Sequence, residues 1–198
     1  MRVRIVICSP VKKYRLKSAQ VRKVDEHTLL VSVVERKPFA LWCGDEFLPT
    51  STLASCWFID DTGFIFDRAP VFSPGVYFEI YGKRENEEQE AILRSLLPPE
   101  RFSLALAFIQ ELQRDQIIPL RLFMKPEGEY GIVVNSSENY PVLRGVELLF
   151  KDEQNASTLL KNLSFAIPAQ FPLGSTTKKK LHYIDLRFGN KVFFGFEK

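Results

Sequence analysis

The sequence YIDLRFGNKVFFGF, residues 183 to 196, is the clearest structural signal in the chain. Its first half alternates in side-chain character, which is typical of a strand with one buried face. The alternation places Ile184, Leu186 and Phe188 on one face, and Tyr183, Asp185 and Arg187 on the other. Gly189-Asn190 is typical of a two-residue hairpin turn. The return strand breaks the alternation, because Phe193 lies opposite the face that carries Val192, Phe194 and Phe196. The stretch is therefore a hairpin whose second strand is apolar on both faces.

The rest of the chain predicts a mixed α+β fold. Two further hairpins are expected, one from Ala19–Val24 and Leu29–Val34, the other over residues 56 to 66 with Asp61-Thr62-Gly63 in its turn. Further strands are expected at Val3–Ile7, Val76–Tyr81, Pro119–Met124 and Glu129–Asn135. Helical spacing of apolar residues predicts one helix after Pro98-Pro99-Glu100 and another through Leu159, Leu160, Leu163 and Ile167, with a loop from Pro168 to Lys180. The sum is a long curved, mostly antiparallel mixed sheet flanked by two helices.

Composition narrows the class of protein. The 198 residues are 45% hydrophobic and include 17 Phe, which favours a β-rich globular fold. The net charge is +3, but the positive excess lies in residues 1 to 23 and not along a groove of the fold, so no nucleic-acid partner is expected. No run of 18 apolar residues occurs, so the sequence predicts neither a membrane span nor an export signal in this chain.

No catalytic, cofactor or metal site is expected. The chain contains no G-x-S-x-G elbow, Gly-rich phosphate loop or H-E-x-x-H motif, and no small-molecule substrate is indicated. Asp60 and Asp61 are adjacent on a strand and point to opposite faces, so a role in the turn is expected rather than paired acid–base catalysis. An enzyme would require a pocket that brings His27 or His182 to a cysteine, a serine or a carboxylate.

Three cysteines are too few for a disulfide scaffold and form no C-x-x-C motif. Cys43 and Cys56 flank neighbouring strand candidates and could be bridged in an oxidising compartment. We expect two buried free thiols instead.

Five segments, taken in order, resemble the FtsQ/DivIB family of bacterial division proteins: VSVVERKPFALW, CWFIDDTGFIF, the helix after Pro98-Pro99-Glu100, EYGIVVN and YIDLRFGNKVFFGF. The most specific pieces are Glu35-Arg36-Lys37-Pro38 with Ala40 and Trp42, and the strand Tyr183–Phe188. The resemblance covers residues 18 to 198. It implies a partial POTRA domain at residues 1–38, with a junction near Pro38, and an FtsQ-type β domain at residues 39–198.

The resemblance also implies a function. Family members catalyse nothing and act as assembly platforms that bind FtsB/DivIC-like and FtsL-like division proteins, and thereby help control septal peptidoglycan synthesis. They are bitopic proteins of the cytoplasmic membrane whose β domain lies on the extracytoplasmic side. Residues 1 to 17 match neither the cytoplasmic tail nor the membrane helix of the family, so membrane association is expected only through a span absent from this chain.

In the family, the FtsB segment adds to the last strand of the β domain. The residues carried over to this sequence are Phe188, Asn190, Gly195 and Phe196. The residues themselves indicate the same site, because an edge strand offers unpaired backbone groups and apolar anchors to a partner strand. Gly195 is expected to allow close approach of the partner backbone. Val192, Phe194 and Phe196 share one face, which either fills the core or meets the partner, whereas Phe193 on the other face is the candidate for exposure.

Another function is compatible with the sequence. A POTRA-type extracytoplasmic adaptor or chaperone would bind extended polypeptides through the 19–35 hairpin. Such a protein is expected to bind many peptides weakly, without a fixed partner.

Overall fold

The computed structural model describes residues 14–44, 56–73, 75–84, 95–135, 139–172 and 179–197. The predicted strand Val3–Ile7 lies outside these residues. The strands are β1 (Leu16–Lys23), β2 (Leu29–Glu35), β3 (Ala40–Trp42), β4 (Trp57–Ile59), β5 (Ile65–Arg68), β6 (Phe78–Tyr81), β7 (Ile118–Met124), β8 (Glu129–Asn135), β9 (Val146–Lys151), β10 (Leu181–Phe188) and β11 (Lys191–Phe196). The helices are α1 (Pro99–Arg114) and α2 (Ala156–Gln170).

Nine strands form one long mixed sheet in the order β11-β10-β9-β8-β7-β6-β3-β4-β5, and β1 pairs with β2 in a separate two-stranded sheet. Within the long sheet, β9–β10, β3–β6 and β6–β7 are parallel pairs, and the remaining pairs are antiparallel. The parallel pairs β6–β7 and β9–β10 are each connected through a helix, as parallel strands require. The predicted α+β class, with a long mixed sheet and two helices, is confirmed.

The core lies between this sheet and the two helices. A row of register partners crosses the sheet on the helix side and consists of fully buried residues: Ile80, Leu122, Ile132, Leu148 and Ile184. The next position in the row is Phe194 on β11, opposite Ile184. Both described helices pack on this side, so neither of them covers the opposite face of the sheet from β7 to β11.

Local sequence sets the ends of both helices. Pro99 occupies the first turn of α1, where its missing N–H is not needed. Asn155 caps α2, because its side-chain oxygen accepts hydrogen bonds from the Ser157 and Thr158 N–H groups. The sequence predicted a loop from Pro168, but α2 continues through this proline to Gln170. Proline in the last turn breaks a single backbone bond, which the surrounding packing tolerates. Neither helix in the described part of the chain is long and apolar enough to cross a membrane.

The β1–β2 hairpin is confirmed, and its turn is closed by the Asp25 carboxylate, which accepts from the His27 and Thr28 N–H groups. Val21 lies opposite Val31 and Ala19 opposite Val33, so one face of the hairpin is an apolar stripe. The large apolar side chains of the hairpin are exposed: Val21, Val24, Leu29, Leu30, Val31, Val33 and Val34. A two-stranded hairpin with an uncovered apolar face is marginal on its own.

Cys43 and Cys56 form a disulfide, so the expectation of two free thiols was wrong. The register explains the pairing. Trp42 of β3 lies opposite Trp57 of β4, and the next pair along the antiparallel ladder is Cys43 and Cys56. Their Cα atoms are 4.1 Å apart, within reach of a bridge once both chains are held in the ladder.

Candidate partner-binding edge

Among the residues that the structure describes, the strand β11 lies at the edge of the nine-stranded sheet and is paired with β10 alone. The Glu197 N–H donates to the Lys180 carbonyl, so backbone groups at this position point towards β10. Backbone groups of a strand alternate between its two sides. The N–H and C=O groups of Val192, Phe194 and Phe196 therefore point away from β10, towards the open edge. The backbone donors and acceptors of these three positions can therefore hydrogen-bond to a further strand.

The side chains of the same three residues face the helices. All three are partly buried and pack against the core. The Phe171 ring, just after α2, makes edge-to-face contacts with Phe194 at 5.6 Å and with Phe196 at 6.3 Å between ring centroids. From the sequence, this face could either fill the core or meet a partner. In the structure, the three side chains pack against the core, and part of the surface of each remains accessible.

A groove of about 470 Å³ runs between α2 and β11 on this side. Its lining comprises Asn162, Phe165, Ala166, Ala169, Gln170, Asn190, Val192 and Phe194. Phe165 is 69% exposed at the groove rim, and two alanines keep the groove open. A side chain of a strand added to β11 that points to the helix side would enter this groove. Sequence reasoning missed Phe165, although its position off the buried stripe of α2 was a usable signal.

Two phenylalanines form an exposed aromatic pair on the opposite face. The rings of Phe188 and Phe193 meet edge to face at 5.3 Å, and the residues are 55% and 50% exposed. The expected exposure of Phe193 is confirmed. The alternation pattern placed Phe188 on the buried face with Ile184, and this was wrong, because the β10–β11 register shifts between Asp185 and Phe188. The shift turns the end of β10 so that its last ring is exposed beside Phe193.

A buried ion network lies behind this aromatic pair. Asp185 is buried and accepts hydrogen bonds from the Arg187 backbone N–H and guanidinium, which also bonds Glu129 on β8. Burial alone would raise the pKa of the Asp185 carboxyl, but the bonds from Arg187 together bring it below its ordinary value. The bond to Asp185 in turn raises the pKa of Arg187. The network ties the end of β10 to the middle of the sheet.

Gly195 lies opposite Tyr183, and a side chain at Gly195 would collide with the Tyr183 ring. The absence of a side chain at Gly195 thus makes room for the Tyr183 ring. It also leaves room for the backbone of a partner strand. The predicted turn residue Asn190 is exposed and lines the groove. The turn is held to α2, because the Asn162 amide donates to the Gly189 carbonyl at 2.7 Å. All seven predicted site residues thus lie on one hairpin. Val192, Phe194 and Phe196 face the helices, and Asn190 lines the groove from the turn. Phe188 and Phe193 form the aromatic pair on the other face.

The residues considered for catalysis lie elsewhere. His27 sits in the β1–β2 turn, and His182 lies on β10 at the rim of a groove of about 1100 Å³ on the sheet. Charged residues of that groove are joined in ion pairs, Lys125 with Glu147 at 2.7 Å and Arg101 with Asp152. Within the described ranges, no group of three or more His, Cys, Asp or Glu residues could hold a metal ion.

Asp60 has the expected role in the turn. Its carboxylate accepts from the Thr62 N–H and hydroxyl and from the Phe64 N–H. It also pairs with Arg36. Asp61 is exposed and points instead towards Lys17.

No family model and no curated protein sequence matches this chain.

Proposed function

We propose that this protein is a non-enzymatic division scaffold of the FtsQ/DivIB type that binds an FtsB/FtsL-type partner by β-strand addition at β11. The single observation that carries the proposal is the position of β11 at the edge of the sheet, with the backbone groups of Val192, Phe194 and Phe196 directed outward. Strand addition supplies main-chain hydrogen bonds, and side-chain pockets on the two faces supply selectivity.

Both faces of the edge offer such pockets. On the helix side, the groove beside Phe165 accepts one side chain of the incoming strand, and its lining includes the amides of Asn162, Gln170 and Asn190. On the open side, the Phe188–Phe193 pair accepts the neighbouring side chain, because alternate residues of a strand point to opposite faces. The selected partner segment is therefore extended and places an apolar side chain on the aromatic pair, next in sequence to the side chain that enters the groove.

In this proposal, residues 1–38 belong to a partial POTRA domain and residues 39–198 form the β domain. The protein lies on the extracytoplasmic side of the cytoplasmic membrane. The Cys43–Cys56 disulfide supports this side of the membrane, since disulfides persist in oxidising compartments. By holding the FtsB/FtsL pair, the scaffold helps to control septal peptidoglycan synthesis.

The test measures how tightly the full chain binds a fluorescent peptide. The peptide is taken from the FtsB-like protein that is encoded in the same genome. The double variant Phe188→Ala/Phe193→Ala removes the aromatic pair without opening the core, because both rings are half exposed. It is expected to weaken binding by about 2 kcal/mol or more, the usual scale of an aromatic hot spot. The matched control is Val71→Ala, which removes exposed apolar surface after β5, at the other end of the sheet. Equal affinity of both variants and the parent protein would count against the proposal.

A second candidate function is favoured by one observation. The β1–β2 hairpin exposes an apolar stripe that contains Val21, Val31 and Val33, as an adaptor for extended polypeptides would require. Val31→Lys places a charge in the middle of this stripe. If Val31→Lys abolishes binding of varied extended peptides while the Phe188→Ala/Phe193→Ala variant binds normally, the adaptor function replaces the division scaffold.

A further inference from the structure

A cluster of ion pairs joins the β1–β2 hairpin to the long sheet. Three carboxylates of the β4–β5 hairpin and its turn pair with three basic residues at the base of β1–β2: Asp60 with Arg36, Asp61 with Lys17, and Asp67 with Arg15. We call the three carboxylates the acidic platform. Asp60 is its buried member, only 1% exposed, and the Arg36 guanidinium also lies 3.9 Å from the centre of the Phe64 ring. The platform therefore carries the charges that hold the hairpin.

The acidic platform lies near one end of the sheet. Its strands β4 and β5 are the last two in the sheet order, and β4 pairs with β3 over three residues. The turn between them also bonds residues 95 and 96, and Ile59 and Ile65 are buried in the main core. The Cys43–Cys56 disulfide lies at the end of the β3–β4 ladder. The backbone at both cysteines is also fixed, because the Cys43 N–H donates to Ile80 on β6 and the Cys56 carbonyl accepts from the Ala69 N–H. The bridge thus joins the interior of the sheet to the platform covalently.

We propose that Cys43 and Cys56 are a site of oxidative modification whose disulfide locks the acidic platform, and with it the β1–β2 hairpin, onto the sheet. The oxidant is a disulfide, either of a thiol–disulfide oxidoreductase or of glutathione. The two cysteine thiols lose two electrons and two protons and form one S–S bond, while the oxidant's S–S bond is reduced to two thiols. Reduction of the bridge reverses the step and removes the covalent link between the platform and the sheet, which leaves only the non-covalent contacts of β4 and β5.

The bridge and the partner-binding edge are at opposite ends of the sheet. Six strands separate β11 from β4 in the sheet order. Loss of the bridge is therefore expected to affect β3–β5 and the hairpin and to leave the β10–β11 ladder intact. This separation makes the proposal independent of the division function, because a failed binding test at β11 leaves it standing.

The first experiment determines the oxidation state. The full chain is directed to the bacterial periplasm, its thiols are alkylated at lysis, and the product is weighed by mass spectrometry. One alkyl group, on Cys8, is expected before reduction and three after it. Three alkyl groups without prior reduction would overturn the proposal.

The second experiment measures the lock by hydrogen exchange of the oxidised and the reduced full chain. A disulfide that closes a loop of this size restricts the unfolded chain and so stabilises the folded state. The stabilisation corresponds to a decrease in the equilibrium constant for opening of on the order of a hundredfold. Reduction is expected to speed amide exchange in β4 and around Arg36 by that factor, with β10 and β11 unchanged. The Cys43→Ser/Cys56→Ser variant is the control and should not respond to reductant. Asp60→Asn should free the hairpin while the bridge and the β3–β4 amides stay protected. Unchanged exchange in β4 on reduction would overturn the proposal.

Discussion

Proline at Val192 tests the proposed edge directly. The Val192 N–H points away from β10, so Val192→Pro removes an outward donor without removing a bond of the β10–β11 ladder. Proline is tolerated on an edge strand when its missing N–H would face outward. The fold is therefore expected to survive, with a thermal unfolding midpoint within a few degrees of that of the parent protein.

The expected loss of affinity can be worked from this geometry. Three outward positions, at Val192, Phe194 and Phe196, are available to a partner strand. Removing one donor deletes one hydrogen bond and leaves a partner carbonyl unpaired in the interface, which costs about 1–3 kcal/mol. The expected change in Kd is therefore roughly tenfold to a hundredfold, measured by titration of the FtsB-like peptide.

Two control variants make the result interpretable. Val192→Ala keeps the N–H and removes only methyl groups from the groove, so its effect measures the side chain alone. Phe193→Pro removes a donor that points towards β10 and is expected to destabilise the hairpin itself. If Val192→Pro binds as tightly as Val192→Ala while both remain folded, the reasoning about the outward ladder is wrong.

Three further predictions concern the groove, the platform and pH. Phe165→Ala should weaken peptide binding by more than 1 kcal/mol and leave unfolding unchanged, because Phe165 is mostly exposed in the free protein; equal affinity would exclude the groove. Asp60→Asn should lower the free energy of unfolding in urea by about 3 kcal/mol, since it leaves Arg36 without its buried partner, whereas the exposed Asp61→Asn should change it by under about 0.5 kcal/mol; similar effects of the two would contradict the role of Asp60. Burial alone would raise the folded-state pKa of Asp60 and Asp185, but hydrogen bonds lower it below the ordinary value. The stability that these carboxylates contribute is therefore present above the ordinary aspartate pKa of about 3.9 and is lost as the pH falls below it. Urea unfolding between pH 6 and pH 2 should show this loss of stability, and the loss should be smaller in Asp185→Asn.

Much of the fold could be predicted because local patterns and tertiary packing agree. The alternation in β10, the Gly189-Asn190 turn and the apolar spacing of α1 all correspond to elements of the structure. The strand β9 was missed, although Val146, Leu148 and Phe150 are buried at alternate positions; the apolar Leu149 between them hides the alternation. This segment is short and lies between two turns. It is recognised as a strand only from its pairing with β8 and β10 in the structure.

The rest of the candidate site depends on register and sheet order, which a single sequence does not encode locally. The exposure of Phe188 follows from a shift in the β10–β11 ladder, and a period-two pattern cannot reveal such a shift. The Cys43–Cys56 bridge follows from the β3–β4 register. The groove beside Phe165 requires the placement of α2 against β11, two elements separated in sequence by β10.

The most direct measurement of the central claim is amide hydrogen exchange by NMR at Val192, Phe194 and Phe196, in the free chain and in the complex with the FtsB-like peptide. We expect fast exchange of these three amides in the free protein and strong protection in the complex, while the Phe193 amide is protected in both. Protection of the three amides in the free chain, or fast exchange in a saturated complex, would contradict strand addition at β11.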